Sequence, residues 1–198
     1  MVVAKDKLPR FTPEEYFQWE EEQQLRHEYI NGEVYAMSGG TQNHGRIASN
    51  IIFILKGHLR GGGCQVGNSD CRVNIIETDD FVYPDVSVTC DERDRTAIQA
   101  IKYPCLIVEV LSPSTANYDR GDKFRMYRRN HSLQDYLLVD AEKIAIDLYR
   151  LNELGNWEIV NYQPGDTIEI KSIDLGCLIE DIYEDIVFEP VLLTDEEK

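Results

Sequence analysis

The sequence contains no apolar run that approaches the roughly 20 residues required to span a lipid bilayer. Its first residues, MVVAKDKLPRF, lack the apolar segment of a secretory signal. The five cysteines are odd in number and scattered, without a CxxC pair or the spacing of zinc ligands. These absences argue against a membrane protein, a disulfide framework and a zinc finger, and we expect a cytoplasmic protein. Cys90 and Cys105 lie in or beside apolar segments, which predicts buried free thiols.

Basic residues are few, since 20 Lys and Arg face 36 Asp and Glu and the formal net charge is -16. A protein of this charge is repelled at long range by polyanions such as nucleic acids. The charge is uneven, however. Residues 180–198 hold eight acidic residues and one base, whereas residues 117–131 hold five Lys or Arg and two Asp. The sequence therefore leaves room for a locally basic helix on an acidic body.

The remaining composition is that of a folded domain. The chain has 198 residues, of which 42% are hydrophobic and 10% aromatic, enough for a sizeable core. No internal repeat, low-complexity linker or shift in composition marks a domain boundary. We expect a single domain over residues 1–198, with a core at about residues 10–185 and a frayed acidic C-terminal tail.

The N-terminal half predicts a helix, a hairpin, a second helix and then strands. Thr12-Pro13 is a strong helix start, and this helix should reach about residue 24. The pair Asn31-Gly32 is typical of a two-residue turn in a β-hairpin. Apolar residues recur at helical spacing over residues 42–60, and three glycines end that helix. Strands are predicted at CQVGN, CRVNIIE and FVYPDVSVT.

The C-terminal half predicts a central strand followed by a crossover. The segment CLIVEVLS is the most apolar in the chain, which indicates a strand covered on both faces. A helix over residues 119–130 and the strand DYLLVD follow, and this order is typical of a right-handed crossover between parallel strands. Further strands are predicted at IAIDLYRL, WEIVNYQ and TIEIKS, before a short amphipathic segment, LIEDIYEDI.

Two of these apolar strands each carry one carboxylate, Asp85 in YPDVSV and Glu109 in CLIVEVLS. A buried carboxylate without a partner costs several kcal/mol or takes up a proton. Because side chains alternate along a strand, Glu109 shares a face with Ile107 and Leu111. If the two strands are neighbours, Asp85 and Glu109 converge at one end of the sheet. Two acidic oxygen ligands there suit a hard divalent cation such as Mg²⁺ or Mn²⁺, which can activate water towards a phosphodiester.

This arrangement resembles the PD-(D/E)xK nucleases, which have Pro-Asp at the end of one strand and acid-x-lysine on the next. Here Pro84-Asp85 and Glu109-Val110-Leu111 hold these places, with Leu111 where the family has lysine. Within that superfamily the chain resembles the Uma2 (DUF820) endonucleases over roughly residues 10–185, through YINGEVYAMSG, YPDVSV, LIVEVLSPST, DRGDKFRMY and DYLLVD. The resemblance implies an α/β fold with a restriction-endonuclease-like mixed β-sheet core flanked by helices, and with additional C-terminal β-strands.

The resemblance also implies that the catalytic lysine has migrated to the next helix, where Lys123 is the matching residue. Lys123 and Tyr127 are four residues apart and share one stripe of the predicted helix. The predicted catalytic residues are Asp85, Glu109 and Lys123, and the predicted metal ligands are Asp85 and Glu109. A lysine at this place would stabilise the charge on the phosphate or orient the attacking water.

Three further residues are predicted to support the site. Tyr127 is one of them, and the others are Glu33, just past the hairpin turn, and His44, near the start of the second helix. The resemblance implies that this part of the chain borders the site. Glu33 also fits a solvent-facing position, and His44 also fits a helix-cap region.

The sequence thus predicts a Mg²⁺-dependent endonuclease that binds DNA, and by analogy a homodimer would let two sites cut two strands. The alternative is a non-catalytic module of the same fold that binds nucleic acid weakly or binds a partner protein. Leu111 and the net charge of -16 favour that alternative. A glycosidase with Asp85 and Glu109 as its acid and base is a third hypothesis, but it leaves Lys123 without a role.

Overall fold

The computed structural model describes residues 10–37 and 39–188 and has a mixed α/β architecture. The last ten residues of the acidic tail, 189–198, lie outside the described part. The strands are β1 His27–Ile30, β2 Glu33–Ala36, β3 Gln65–Asn68, β4 Val73–Ile75, β5 Asp80–Val82, β6 Val86–Thr89, β7 Pro104–Leu111, β8 Asp135–Asp140, β9 Ile146–Leu151, β10 Trp157–Tyr162, β11 Thr167–Ile170 and β12 Leu175–Leu178. The helices are α1 Pro13–Glu20, α2 Gln42–His58, α3 Ala116–Tyr118, α4 Phe124–Tyr127 and α5 Ile179–Ile182. Within the described ranges, none of them is long and apolar enough to cross a bilayer.

The central sheet has six strands in the order β10-β9-β8-β7-β6-β3. Strands β7 and β8 pair in parallel, and the other neighbours pair antiparallel. The apolar strand β7 therefore lies inside the sheet and is joined to β8 by a helical crossover, as the sequence predicts. A two-stranded sheet of β11 and β12 adds the C-terminal strands. The predicted fold class is confirmed.

Both faces of the central sheet are covered, and β7 alternates between them. Val108 and Val110 face a core that includes Ile47 and Ile51 of α2 and the C-terminal strands. Ile107 faces the opposite core, which is formed with the helical segment after β7 and with β4 and β5. The near-continuous apolar character of β7 follows from this double burial.

The N-terminal part forms a second sheet, in the order β2-β1-β5-β4. The predicted hairpin turn is present, and both turn residues have positive φ, 52° at Asn31 and 84° at Gly32. The Thr12 cap of α1 is a capping box, in which the Thr12 hydroxyl accepts from the Glu15 amide and the Glu15 carboxylate accepts from the Thr12 amide. The helix ends at Glu20, earlier than predicted.

The segment FVYPDVSVT is two strands rather than the single predicted one. Strand β5 belongs to the four-stranded sheet and β6 to the six-stranded sheet. The break falls at Tyr83-Pro84-Asp85, where proline has no amide hydrogen to donate to a sheet. The chain therefore passes from one sheet to the other at this point, and Asp85 lies at the junction.

The helix predicted over residues 119–130 is displaced and irregular. Helical structure runs from α3 to α4, over residues 116–127, and contains a π-helical turn at Asp119–Lys123. Such turns widen a helix locally and recur at functional sites. This turn immediately precedes α4 and ends at Lys123, one of the residues predicted to be catalytic.

The prediction of a buried free thiol is wrong for Cys90, which is exposed and forms a disulfide with Cys64. The physical reason is strand pairing. Strands β3 and β6 are antiparallel with Gln65 opposite Thr89, so the residues just outside this pair, Cys64 and Cys90, face each other. Cys105 is a free and partly buried thiol, and burial raises its pKa to about 11.

Candidate active site

Asp85 and Glu109 meet at one end of the β6–β7 pair. The two strands are antiparallel with Val86 opposite Val108. Asp85 immediately precedes Val86 and Glu109 immediately follows Val108, so this register places the two acids across from each other. The Asp85 carboxylate also accepts a hydrogen bond from the Val110 amide, with 2.7 Å between Oδ2 and N.

Lys123 and Tyr127 both contact the Glu109 carboxylate from the helical segment above the sheet. Lys123 Nζ lies 2.9 Å from Glu109 Oε1, and the Tyr127 hydroxyl donates to the same oxygen at 2.9 Å. All three side chains are buried. The predicted stripe of Lys123 and Tyr127 is therefore present, and an amine reaches Glu109 although Leu111 occupies the usual lysine position.

Two more carboxylates surround the Lys123 ammonium. Its Nζ lies 3.5 Å from Glu28 Oε1 on β1 and 3.9 Å from Asp119 Oδ1, one helical turn before it. Glu28 and Asp119 are both buried. The Tyr83 amide, beside the Pro84-Asp85 step, donates to Glu28 at 3.3 Å. Strand β1, the β5–β6 junction and the helical segment are thus joined around one lysine.

His44 approaches Asp85 from the other face of the sheet. It lies in the first turn of α2, which begins at the N-cap Thr41. Its Nε2 is 3.2 Å from Asp85 Oδ2. The hydrogen bond to Asp85 raises the pKa of His44 above its ordinary value, because this effect outweighs the lowering caused by burial. The histidinium form therefore pairs with Asp85 over a wider pH range than a free histidine would.

The cluster holds more carboxylates than cations, and this surplus of carboxylates affects the pKa values of its members. Burial raises the pKa of Glu109 well above its ordinary value, even though the Lys123 ammonium acts in the opposite direction. Burial lowers the pKa of Lys123, but Glu109, Glu28 and Asp119 outweigh it and raise the pKa well above the ordinary value. The whole group therefore favours the uptake of positive charge, whether as protons or as a metal cation.

Comparison with known proteins identifies the family. A family model described as "Putative restriction endonuclease", named Uma2, matches residues 13–177. The chain belongs to the Uma2 family. This Uma2 chain is 52% identical over 181 residues to the "Uncharacterized protein slr1290" of Synechocystis sp., with 91% of this chain and 95% of that protein covered. It is 34% identical over 173 residues to the "Uncharacterized protein sll1609" of the same organism, with 86% and 96% covered.

A solved structure shares the fold of this Uma2 chain. It is the crystal structure of a protein from Anabaena variabilis, described as "a putative nuclease belonging to DUF820". The TM-score is 0.71 at 19% sequence identity, and the match covers 87% of this chain and 97% of that one. At this identity the likeness extends to the fold, which agrees with the restriction-endonuclease-like architecture expected from the sequence.

The structure does not bring Glu33 to the cluster of this Uma2 chain. Glu33 is exposed at the start of β2, where it accepts from the Tyr35 hydroxyl at 2.8 Å and lies 3.8 Å from Arg10. Glu28, on the other strand of the same hairpin, takes the inner position instead. Strand β1 pairs with β5 and β2 is the edge strand, so only β1 lies beside the core.

Glu28 and Asp119 were not predicted from the sequence. Asp119 precedes Lys123 by four residues, which is the spacing that relates Lys123 to Tyr127, so the helical period could have found it. No comparable signal exists for Glu28. It shares its hairpin with Glu33, and the choice between them depends on which strand joins β5.

The donor set fits a hard divalent cation such as Mg²⁺ or Mn²⁺. The contacts of Asp85 with Val110 and His44 go to Oδ2, and those of Glu109 with Tyr127 and Lys123 go to Oε1, so these contacts leave the second oxygen of each carboxylate unused. In the ranges 10–37 and 39–188, no group of three or more His, Cys, Asp or Glu is arranged to hold a metal. One or two carboxylates with several waters are nevertheless the usual protein ligands of Mg²⁺.

Proposed function

We propose that this Uma2 protein is a metal-dependent endonuclease that hydrolyses phosphodiester bonds of DNA. The observation that supports this most directly is the meeting of Asp85, Glu109 and Lys123, which come from three elements, at one end of the β6–β7 pair. Burial of these charges serves no structural need that apolar residues would not meet as well, since a buried ion pair seldom adds net stability. The family description points to the same activity.

In this proposal Asp85 and Glu109 hold Mg²⁺ or Mn²⁺. The bound ion would supply Lewis-acid activation of water and neutralise charge on the phosphate. Lys123 stays protonated near neutral pH, because the surrounding carboxylates raise its pKa. It therefore cannot take a proton from water, and its role is to orient Glu109 and to stabilise the negative charge that develops on the phosphate.

Tyr127 and His44 position the two acids. The phenol of Tyr127 is fully buried and its pKa is raised well above the ordinary value by that burial, so it remains a hydrogen-bond donor to Glu109. His44 holds the Asp85 carboxylate from the α2 side. Glu109 is thus oriented by Lys123 and Tyr127, and Asp85 by His44 and the Val110 amide.

The hypothesis of a non-catalytic module depended on Leu111 and on the net charge of -16. Leu111 no longer supports the non-catalytic module, because Lys123 of the helical segment places an amine 2.9 Å from Glu109. Leu111 itself is buried in the apolar core beneath the helical segment. The net charge still favours weak binding of nucleic acid.

The test is calorimetric titration of Mn²⁺ into the wild-type protein, Asp85→Ala and Glu109→Ala. We expect both substitutions to abolish metal binding and Mg²⁺-dependent nicking of plasmid DNA, because each removes one of two carboxylate ligands. Thermal melts of the metal-free proteins would show whether the variants remain folded.

Glu33→Ala is the matched control. It removes one carboxylate from the neighbouring hairpin, outside the cluster, and should leave both metal binding and nicking unchanged. Unaltered Mn²⁺ affinity in folded Asp85→Ala and Glu109→Ala would contradict the proposal. Metal binding without nicking of any DNA would favour the non-catalytic module.

A further inference from the structure

A large polar cleft opens beside the cluster. It has a volume of about 1410 Å³, and His44 and Asp85 are part of its lining. Its described lining residues include four Lys or Arg and three Asp or Glu, whereas the whole chain has 20 against 36. The cleft is therefore a locally basic region on a strongly acidic molecule. Its basic residues are Arg26, Lys56, Arg60 and Arg72.

Arg72 is held in a fixed orientation within this cleft. It immediately precedes β4, and its guanidinium carbon lies 5.8, 5.2 and 5.4 Å from the ring centres of Tyr16, Phe17 and Tyr83. Its Nε donates to the Tyr83 hydroxyl, and Nη1 lies 3.5 Å from the Gln99 carbonyl. Arg72 makes no ion pair with a described carboxylate. The Tyr83 hydroxyl also lies 3.4 Å from the Glu20 carboxylate, which acts on Arg72 at longer range. A guanidinium that is oriented by rings and a phenol, with no carboxylate in direct contact, suits a phosphate ligand.

The two ends of helix α2 border the cleft. Thr41, His44 and Gly45 line the cleft at the start of the helix, whereas Lys56 in the last turn and Arg60, two residues past the end of the helix, line it at the far end. Lys56 and Arg60 are exposed and have no ion-pair partner in the described part of the chain. At 1.5 Å per residue, Lys56 lies about 18 Å from His44 along the axis, which corresponds to about five nucleotides of a B-form strand.

The other basic groups are already neutralised or lie elsewhere. Arg26 lines the cleft but is bound to Asp70 at 2.6 Å. In the basic stretch of residues 117–131, Arg120 and Arg125 each pair with a carboxylate, and none of the stretch lines the cleft. The stretch that looks most basic in the sequence therefore offers less free positive charge to the site than α2 and Arg72 do.

We propose that the phosphate backbone of a nucleic-acid strand lies along this cleft, with Arg72 contacting it near Asp85 and with Lys56 and Arg60 contacting it at the far end of α2. This inference rests on the proposed endonuclease function and specifies the path of the substrate. Because the contacts are to phosphates, they do not depend on base sequence.

The test measures binding without metal, so that it is independent of cleavage. Fluorescence anisotropy in EDTA would follow labelled single-stranded DNA, duplex DNA and single-stranded RNA over roughly 50 to 200 mM salt. The variant Lys56→Gln/Arg60→Gln is compared with Arg128→Gln/Arg129→Gln, which removes the same charge from the basic stretch. Each lost phosphate contact should reduce the slope of log affinity against log salt by about 0.7 to 0.9, so the cleft variant should lose roughly 1.4 to 1.8. The control should keep the wild-type slope.

Arg72→Lys and Arg72→Gln examine the near end of the path. Both variants lose the ring contacts of the guanidinium, but Arg72→Lys keeps the positive charge. We expect Arg72→Gln to weaken binding more than Arg72→Lys at equal folded fraction, as measured by urea unfolding. Equal binding by the two would show that Arg72 only braces the fold.

Three further outcomes would overturn the inference. The first is an equal loss of salt slope in Lys56→Gln/Arg60→Gln and in its control, and the second is an unchanged slope in Lys56→Gln/Arg60→Gln. The third is that the wild type binds no oligonucleotide at the lowest salt. The first two would leave the proposed catalysis standing if Asp85→Ala and Glu109→Ala still abolish metal binding. The strand type with the steepest slope identifies the preferred substrate.

Discussion

At the scale of single residues, Lys123 is the side chain on which the buried cluster depends. It is the cation common to Glu28, Glu109 and Asp119, all of them buried. Four charged groups in an apolar setting are tolerated only while they compensate one another. The same ammonium that the proposed chemistry requires therefore also holds three elements together.

We predict that Lys123→Met destabilises the protein by roughly 3–5 kcal/mol, because it leaves buried carboxylates without their counter-charge. The measurement is the free energy of unfolding in urea, followed by circular dichroism near neutral pH. Lys143→Met is the control, since Lys143 is exposed between β8 and β9, and its effect should stay within about 0.5 kcal/mol. A similar decrease in the free energy of unfolding in Lys123→Met and Lys143→Met would show that the cluster does not depend on Lys123.

At the scale of elements, the β1–β2 hairpin determines which acid reaches the cluster. Its two-residue turn has positive φ at both positions, so the register of the strands is fixed with Glu28 opposite Tyr35. Because β1 pairs with β5 on its other side, Glu28 is held beside the β5–β6 junction that carries Asp85. The turn thus contributes to the site although it lies outside it.

We predict opposite effects for two glycine-to-alanine substitutions. Gly32→Ala should destabilise the protein by about 1–2 kcal/mol, because its φ of 84° is unfavourable for a residue with a Cβ. Gly57→Ala should stabilise it by about 0.5–1 kcal/mol, because Gly57 is helical and an added Cβ meets no described atom within 4 Å. Thermal or urea unfolding measures both, and effects of the same sign would contradict the argument.

At the scale of the whole molecule, the Cys64–Cys90 disulfide joins the connection after α2 to the end of β6. Helix α2 carries His44, and the other end of β6 adjoins Asp85. The bond therefore links the two elements that bring His44 and Asp85 together. Its two cysteines are separated by 26 residues in the sequence.

We predict that Cys64→Ser/Cys90→Ser lowers the free energy of unfolding of the oxidised protein by roughly 3–4 kcal/mol, because closing a loop of this length restricts the unfolded chain. Reductant should bring the wild type to the same value. Cys71→Ser is the control, since Cys71 is a free and exposed cysteine, and it should change little. If the double variant matches the oxidised wild type, the bond does not stabilise the fold.

The distribution of charge is also a property of the whole molecule. A net charge of -16 opposes the approach of DNA at long range, and only local arrangement can overcome it. Among the described residues, Lys56, Arg60 and Arg72 of the cleft have no ion-pair partner, whereas Arg120, Lys123 and Arg125 of the basic stretch after β7 each pair with a carboxylate. A count of charges along the chain does not distinguish these two cases.

The sequence by itself determined most of the elements and the two segments that carry the acids. The Thr12 cap, the Asn31-Gly32 turn and the apolar run around Glu109 are local signals, and local interactions decide them. The four-residue spacing of Lys123 and Tyr127 follows from the helical period in the same way. These signals also sufficed for the central position of β7 and its parallel partner.

Only the tertiary structure decided which distant residues meet. The choice of Glu28 over Glu33, the pairing of Cys64 with Cys90 and the orientation of Arg72 each depend on which strands become neighbours. The segment FVYPDVSVT was predicted as one strand, and both the break at Pro84 and the passage between two sheets came from the structure. The physical reason is that contacts between segments far apart in the chain are set by packing of the whole core, and one sequence carries no local record of them.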